Sequence, residues 1–280
     1  MNFPYKGYAG RYARVNLSKE SVYTEPPSKE MARNYIGGSG FAARILFDEL
    51  QPKIDPLGLE NKIVIATGPI TGAIWPTAGR YMMASKSPLT GIWGESHAGG
   101  HFGPELKRAG FDFLVIEGIS ERPIYLYVNH GKIEIKGASH IWGKDTRETS
   151  DILKRETDLN AHLTCIGPAG ENLVRFAAVI SDYHRAHGRT GMGAVWGSKK
   201  LKAIVARGDG DIEVANLERL MEVADEAHWR GLNHPQAKEM TKYGTPLLVA
   251  YKQAIGELPT MNHWTGVFDE AENLMAETLR

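Results

Sequence analysis

The stretch GlyProGluLeuLysArgAlaGlyPheAspPheLeuValIleGluGly at residues 103–118 returns later in the chain as GlyAlaValTrpGlySerLysLysLeuLysAlaIleValAlaArgGly at 193–208. Each copy starts on a glycine, passes through a short helix-compatible run, and ends as an apolar strand closed by glycine. Outward from these, LysIleValIleAlaThrGlyPro at 62–69 answers LeuThrCysIleGlyPro at 163–168, an apolar strand stopped by a Gly-Pro turn in both cases. Further out, Ala13, Val15 and Leu17 alternate, the pattern breaks at SerLysGlu, and Val22 and Tyr23 resume it, as a hairpin over Arg11–Glu25 would. Ile124–Val128 and Lys132–Ile135 repeat that hairpin around AsnHisGly. The chain therefore reads as an α+β fold whose β-rich first part, with short helices, is internally duplicated. The two halves, about 1–118 and 119–208, are expected to be related by an approximate twofold axis.

Between these anchors the first half predicts a helix carrying Phe41, Ala42, Ile45, Leu46 and Leu50, entered through GlyGlySerGly at 37–40. A strand over Lys62–Ala66, one near Tyr81–Ser85, a helix over Phe102–Arg108 and a strand over Phe111–Glu117 follow. The second half predicts a helix over Thr146–Glu156 and strands over His162–Ile166 and Val174–Ile180. A helix over Met192–Lys199 and a strand over Ala203–Ala206 complete it. After Gly208–Gly210 the pattern changes: Leu217, Leu220, Met221, Val223, Ala224 and Ala227 form a helical stripe, and Thr245–Ala254 forms another. We divide the chain into a duplicated base, 1–210, and the opening of an all-α domain, 211–280, which is short for an independent helical core.

Composition narrows the partners. Lys plus Arg and Asp plus Glu both total 33, so the chain has no overall pull toward nucleic acid or anionic lipid, and an anion site must be local. No apolar run is long enough for a membrane span and the first residues lack a secretory pattern, so a cytoplasmic protein is expected. The single cysteine, Cys165, lies in a predicted buried strand and reads as a small core hydrophobe. It excludes internal disulfides and any zinc or iron–sulfur site built on clustered thiolates of this stretch.

Three loops concentrate chemistry: ThrAlaGlyArg at 77–80, SerHisAlaGlyGlyHisPheGly at 96–103, and HisArgAlaHisGlyArgThrGlyMetGly at 184–193. Glycines let backbone N–H groups approach a guest, and the helix N-termini that follow add positive potential. Arg80, Arg185 and Arg189 supply bidentate donors, so the guest is a phosphate or a polyanionic ring system. Arg80 and Arg185 are expected at comparable places in the two copies, which implies two guests or one guest with two similar halves. On the residues alone, plain turns with solvated arginines remain the alternative. GlyGlySerGly at 37–40 lacks the spacing of a nucleotide fingerprint. The pairs His97/His101 and His184/His187 have helical spacing but no accompanying carboxylate or thiolate, and read as hydrogen-bonding or surface histidines.

Ordered strings carry more than any one loop. ArgValAsnLeuSer at 14–18, AlaThrGlyProIleThrGly at 66–72, GlyArgTyr at 79–81, LysSerProLeuThrGly at 86–91 and PheGlyProGluLeuLysArgAlaGly at 102–110 are followed by AlaSerHisIleTrpGlyLys at 138–144, IleGlyProAlaGlyGluAsn at 166–172 and GlySerLysLysLeuLysAlaIle at 197–204. Together they resemble the tungsten-pterin aldehyde:ferredoxin oxidoreductases. The resemblance implies a base on which two molybdopterin-type cofactors share one tungsten as tungstopterin. It implies contacts from Arg80, His97, Gly99, Arg185, Ala186, Gly188 and Arg189, and a Mg²⁺ held between the pterin phosphates by the backbone carbonyls of His97 and Ala186. His97 stands where some relatives have asparagine. The implied activity is oxidation of an aldehyde to a carboxylic acid, with electrons passed through a [4Fe–4S] cluster to ferredoxin. The cluster's cysteines belong to a further part of the family's chain, as does the substrate pocket, so no catalytic acid or base is nominated. The implied partners are the rest of the enzyme or a partner subunit, and a second copy in a homo-oligomer. Two alternatives remain: a stand-alone, non-catalytic cofactor-binding subunit, and a relative acting on aromatic acyl thioesters.

Overall fold

In the computed structural model, which describes residues 3–279, the apolar runs of the first half pair into one six-stranded sheet and those of the second half into another. The first half supplies β1 (Tyr12–Asn16), β2 (Ser21–Glu25), α1 (Lys29–Tyr35), α2 (Ser39–Glu49), β3 (Ile63–Thr67), β4 (Tyr81–Lys86), β5 (Trp93–Ala98), α3 (Phe102–Arg108) and β6 (Phe113–Glu117). The second supplies β7 (Ile124–Asn129), β8 (Lys132–Gly137), α4 (Thr146–Glu156), β9 (His162–Cys165), α5 (Pro168–Glu171), β10 (Val179–Ser181), β11 (Arg185–His187), α6 (Met192–Ser198) and β12 (Leu201–Arg207).

One sheet runs β2-β1-β6-β3-β4-β5 and the other, read from the matching edge, β8-β7-β12-β9-β10-β11. Equating each strand with the one six places on makes the two orders identical. Each sheet has one parallel pair, β1 with β6 and β7 with β12, among antiparallel neighbours. The duplication expected from the sequence is thus present in the hydrogen-bond topology, and the fold is α+β.

Side-chain alternation assigns the faces. Ile63, Ile65, Leu114 and Ile116 of the first sheet share one core with Ile124, Leu126, Val128, Ile204 and Ala206 of the second. Phe102 and Leu106 of α3, and Val195 and Trp196 of α6, complete that core. Val64, Ala66, Phe113 and Val115 turn to the opposite face, where Phe41, Ala42 and Ile45 of α2 cover them. Leu163, Cys165, Ala203 and Val205 do the same in the second sheet against Leu153 of α4. A capping box starts α4, with Asp145 accepting from Glu148 and the Glu148 side chain answering. Cys165 is 1% exposed, and burial pushes its thiol up to about 12, as a core hydrophobe.

Three elements differ from the sequence reading. The strand expected over Val174–Ile180 shrinks to β10, because Pro168 opens α5 and residues 174–177 close turns behind it through Val174 N–H to Ala169 O and Ala177 N–H to Val174 O. β5 and β11, assigned to loops in the sequence, are strands. Each lies at a sheet edge with one ladder partner, and each is polar, so neither displays the apolar alternation that marks a half-buried strand.

The chain divides into two compact units, one to Leu220 and one from Met221. The division falls inside α7 (Leu217–Leu232), and the second unit also holds α8 (Ala237–Tyr243) and α9 (Leu248–Ala254). Among the described residues of that unit the buried hydrophobics are Ala224, Ala271 and Ala276, while Trp229, Met261 and Trp264 are exposed. The amide of Gln253 exchanges two hydrogen bonds with the backbone of Phe268, both 2.9 Å. No described helix is long and apolar enough to cross a membrane.

Candidate functional site

β5 and β11 are the edge strands at the corresponding ends of the two sheets, opposite β2 and β8, and they meet. His187 Nδ1 donates to Ser96 O at 2.9 Å, Arg189 N–H to Ser96 Oγ at 3.2 Å, and Ser87 Oγ to Thr190 O at 2.8 Å. The register places His97, Gly99, Arg185, Ala186, Gly188 and Arg189 on or next to the two seam strands, and Arg80 before β4, one strand further in. With the Gly-Pro turns aligned, Ala66 corresponds to Cys165, and their partners are Met82 and Ile180. Met82 faces His97 on β5, and Ile180 faces Ala186 on β11. His97 and Ala186 are therefore equivalent positions in the two copies, and Gly99 and Gly188 are equivalent two residues on.

Those two glycines are open. A Cβ added at Gly99 would meet nothing within 4 Å, and at Gly188 its nearest neighbour would be Ala186 Cβ at 3.9 Å. The other loop glycines serve chain packing: a Cβ at Gly100 would lie 2.6 Å from Asp182 Oδ2, and at Gly191 1.9 Å from Arg175 O.

Two expectations are corrected here. Arg80 and Arg185 are not at comparable places: Arg80 precedes β4 and corresponds to Ala178, whereas Arg185 lies in β11 and corresponds to Ser96. The Gly/Arg strings look alike in sequence but belong to opposite strands of their hairpins. What Arg80, Arg185 and Arg189 share is that all three are exposed and none has an ion-pair partner among the described residues, unlike Arg14, Arg44, Arg207 and Arg230.

The second correction concerns the helix N-termini. Asp182, in the β10–β11 turn, accepts from His101 N–H at 2.6 Å and Phe102 N–H at 3.1 Å, and its other oxygen meets His162 Nδ1 at 2.8 Å. Burial alone would raise its pKa, but His162 and the two amides outweigh burial and lower it. The first amides of α3 are thus satisfied from the opposite half. At α6, Gly193 N–H donates to Ala177 O at 2.9 Å. These helix-end amides are thus taken up by protein acceptors, which leaves the exposed arginines and the open backbone at Gly99 and Gly188 as the groups that face outward.

The histidines divide by burial. His97 is half-exposed, with Nε2 at 2.5 Å from Glu95 Oε1, and Glu95 also accepts from Ser39 Oγ and from Trp93 Nε1 at 3.2 Å. His101 and His184 are exposed. His187 is fully buried. Because a carbonyl only accepts, its Nδ1 carries the proton, and Nε2 has no partner among the described residues. Among the described residues no group of three His, Cys, Asp or Glu could hold a metal ion. Asp182 and Glu95 escaped the sequence reading because their partners are remote or lie on a strand that did not look like one.

Burial pushes the pKa of His187 down to about 4, against the opposing pull of Ser96 O. An unfolded histidine titrates near 6.5, so between those values the unfolded chain binds a proton that the fold does not, and stability falls as pH falls. We predict a loss of up to about 3 kcal/mol from pH 7 to pH 4 that His187→Asn removes. Urea unfolding across that range checks it, and equal slopes for both proteins would refute the assignment.

A cleft of about 810 Å³ lies elsewhere, lined by Phe47, Leu50, Pro52, Ile92 and Trp93 among others, and none of the sequence-predicted site residues lines it. Its lining is mainly apolar, so volume and charge point to different places.

Comparison with known proteins bears on the seam. The tungsten-containing aldehyde ferredoxin oxidoreductases of Thermococcus kodakarensis and Pyrococcus furiosus are 46% and 44% identical to this chain over 275 residues, 98% of it and 46% of each relative. The chain thus spans about half the length of these curated relatives. The aliphatic sulfonate oxidoreductase, WOR-like subunit, of Pyrococcus furiosus is 34% identical over 242 residues, 80% of this chain and 38% of that protein. Among solved structures, the active site complex BamBC of benzoyl coenzyme A reductase with 1,5-dienoyl-CoA matches 91% of this chain and 36% of its own, at 32% identity and a TM-score of 0.78. The family model described as aldehyde ferredoxin oxidoreductase, N-terminal domain, matches residues 12–208. With that span covering both sheets and the seam between them, the chain belongs to the aldehyde ferredoxin oxidoreductase family.

Proposed function

We propose that the β5–β11 seam holds a tungsten bis-pterin cofactor, and that the chain is the cofactor-binding part of an enzyme oxidising aldehydes to carboxylic acids with ferredoxin as electron acceptor. The observation that carries this reading is the set of exposed guanidiniums of Arg80, Arg185 and Arg189, none with an ion-pair partner among the described residues, beside a seam between two copies of one sheet. The arginines match the guest's negative charge, and the pairs His97/Ala186 and Gly99/Gly188, at equivalent positions of the two copies, match its two similar halves. The residues fit it: the arginines pair with phosphate, Gly99 and Gly188 leave room for close approach, and the backbone carbonyls of His97 and Ala186, at equivalent positions, would hold the bridging Mg²⁺. When bound, the tungsten centre supplies the two-electron chemistry, and this chain's residues bind and orient it.

On this reading residues 1–210 are the base and 211–280 open a helical domain. A [4Fe–4S] cluster would need cysteines beyond the single Cys165. A cytoplasmic location and a homo-oligomer belong to the same proposal. The greater identity to the aldehyde enzymes than to the benzoyl coenzyme A reductase complex supports an aldehyde over an aromatic acyl thioester.

The test is elemental analysis of the holoprotein with aldehyde-dependent viologen reduction. Tungsten in the protein and reduction that requires aldehyde are expected; a holoprotein with neither would overturn the proposal. The 280-residue chain made alone is predicted to carry no stoichiometric iron, and iron near four atoms per chain with matching acid-labile sulfide would contradict that.

A further inference from the structure

We propose that His187 is a positioning residue that sets the spacing of the two halves across the cofactor seam; the inference rests on the cofactor reading above. The peptide bond joining Ala186 to His187 contains the Ala186 carbonyl, and the peptide joining Ser96 to His97 contains the Ser96 carbonyl that His187 Nδ1 grips at 2.9 Å. One side chain thus ties the peptide on one side of the seam to the peptide on the other. On that reading the carbonyls of His97 and Ala186 would both hold one Mg²⁺, an ion that tolerates little displacement of its ligands. A drift of a few tenths of an ångström between β5 and β11 would spoil that.

The tie is one-sided. The position equivalent to His187 in the first half is Ala98, since Tyr81 pairs with Ala98 as Val179 pairs with His187. No side-chain donor therefore crosses from the equivalent position of the other copy, whose tie to this seam is Ser87 Oγ to Thr190 O, further along it. Nor does packing account for an imidazole here. His187 is fully buried with Nε2 unpartnered among the described residues, so an apolar side chain of similar size would fill the space without a stranded nitrogen. What the imidazole adds is the Nδ1 donor. The ring is held for that contact by the Tyr81 ring, edge-on at 4.6 Å, whose hydroxyl bonds Ser181 Oγ.

The experiment compares His187→Leu, His187→Gln and His187→Asn in the holoprotein, with Mg²⁺ per chain measured after dialysis against graded chelator, alongside tungsten content and thermal melts. An asparagine amide nitrogen overlays Nδ1 and keeps the donor, whereas the glutamine amide overlays Nε2 and does not. Removing an outer-shell partner commonly weakens metal binding roughly 10-fold or more. We expect that loss for Leu and Gln, and retention near wild type for Asn. If Leu does not fold, Gln gives the same readout. Magnesium absent from the wild-type holoprotein would overturn the cofactor reading itself. Magnesium kept by Leu or Gln, or lost equally from Asn, would overturn the role of His187 while leaving that reading intact.

Discussion

Arg185→Ala is expected to lower the tungsten retained per folded holoprotein by roughly 10- to 100-fold, because a hydrogen bond to a charged group contributes about 1.5–3 kcal/mol once its surroundings are dry. Arg185 makes no ion pair among the described residues, so its removal strands no carboxylate there, and a loss of tungsten reports on the guest. Arg80→Ala is expected to act in the same direction, but the register gives the two no reason to be equal, since they stand at different places in their hairpins. Arginine-to-lysine changes should restore part of the loss, as lysine lacks the planar fork. Arg122, whose side chain is 64% exposed with Glu20 at 3.7 Å, is the control and should change binding by under about 1 kcal/mol. Elemental analysis and aldehyde-dependent viologen reduction are the measurements. Full tungsten in both loop variants would mean that the seam is not the cradle.

The largest expected effect on stability lies away from the seam. Glu171 of α5 and Lys202 of β12 form an ion pair whose side chains are 4% and 0% exposed. Each has a second partner: Gly143 N–H donates to Glu171 Oε2 at 2.8 Å, and Lys202 Nζ donates to Lys144 O at 2.8 Å. Removing one member leaves the other as a buried, uncompensated charge, which costs about 3–5 kcal/mol. Glu171→Ala should therefore depress the melting temperature by roughly 6 to 20 °C. Pairing Lys202→Met with Glu171→Leu should cost less than the two single changes summed, because the double variant buries no lone charge. A Glu171→Ala protein that melts within a degree or two of wild type would show that water reaches the pair.

The duplication was legible because strands such as Ile63–Thr67 and Leu201–Arg207 hold apolar runs, Ile63–Ala66 and Ala203–Ala206, and flank recognisable Gly-Pro and Gly turns. The seam was only half legible. Arg80, Arg185 and Arg189 stood out by residue type, but their environment depends on β5 and β11, which carry Gly94, Glu95 and His97 or Arg185 and His187 where an interior strand would carry valine or isoleucine. The work of Asp182 lay beyond sequence reading, since its partners on α3 are eighty residues distant and the contact joins different halves. Glycine spacing alone also failed to separate Gly99 and Gly188, which face open space, from Gly100 and Gly191, which face protein.

The last strand made in each half is a central one: β6 lies between β1 and β3, and β12 between β7 and β9. The inner face of the first sheet, with Ile63, Ile65, Leu114 and Ile116, is covered by a layer that includes β12. On a ribosome adding about 5–20 residues per second, the stretch of about ninety residues from Gly118 to Arg207 takes roughly 5 to 20 seconds. Throughout that interval a finished first sheet holds an oily face toward water, as a client for chaperones. Slow codons placed across 119–207 should raise the aggregated fraction without altering one amino acid, and an unchanged soluble yield would show that the first half waits safely. The amount of protein a cell obtains would then be set partly by the pace of its messenger.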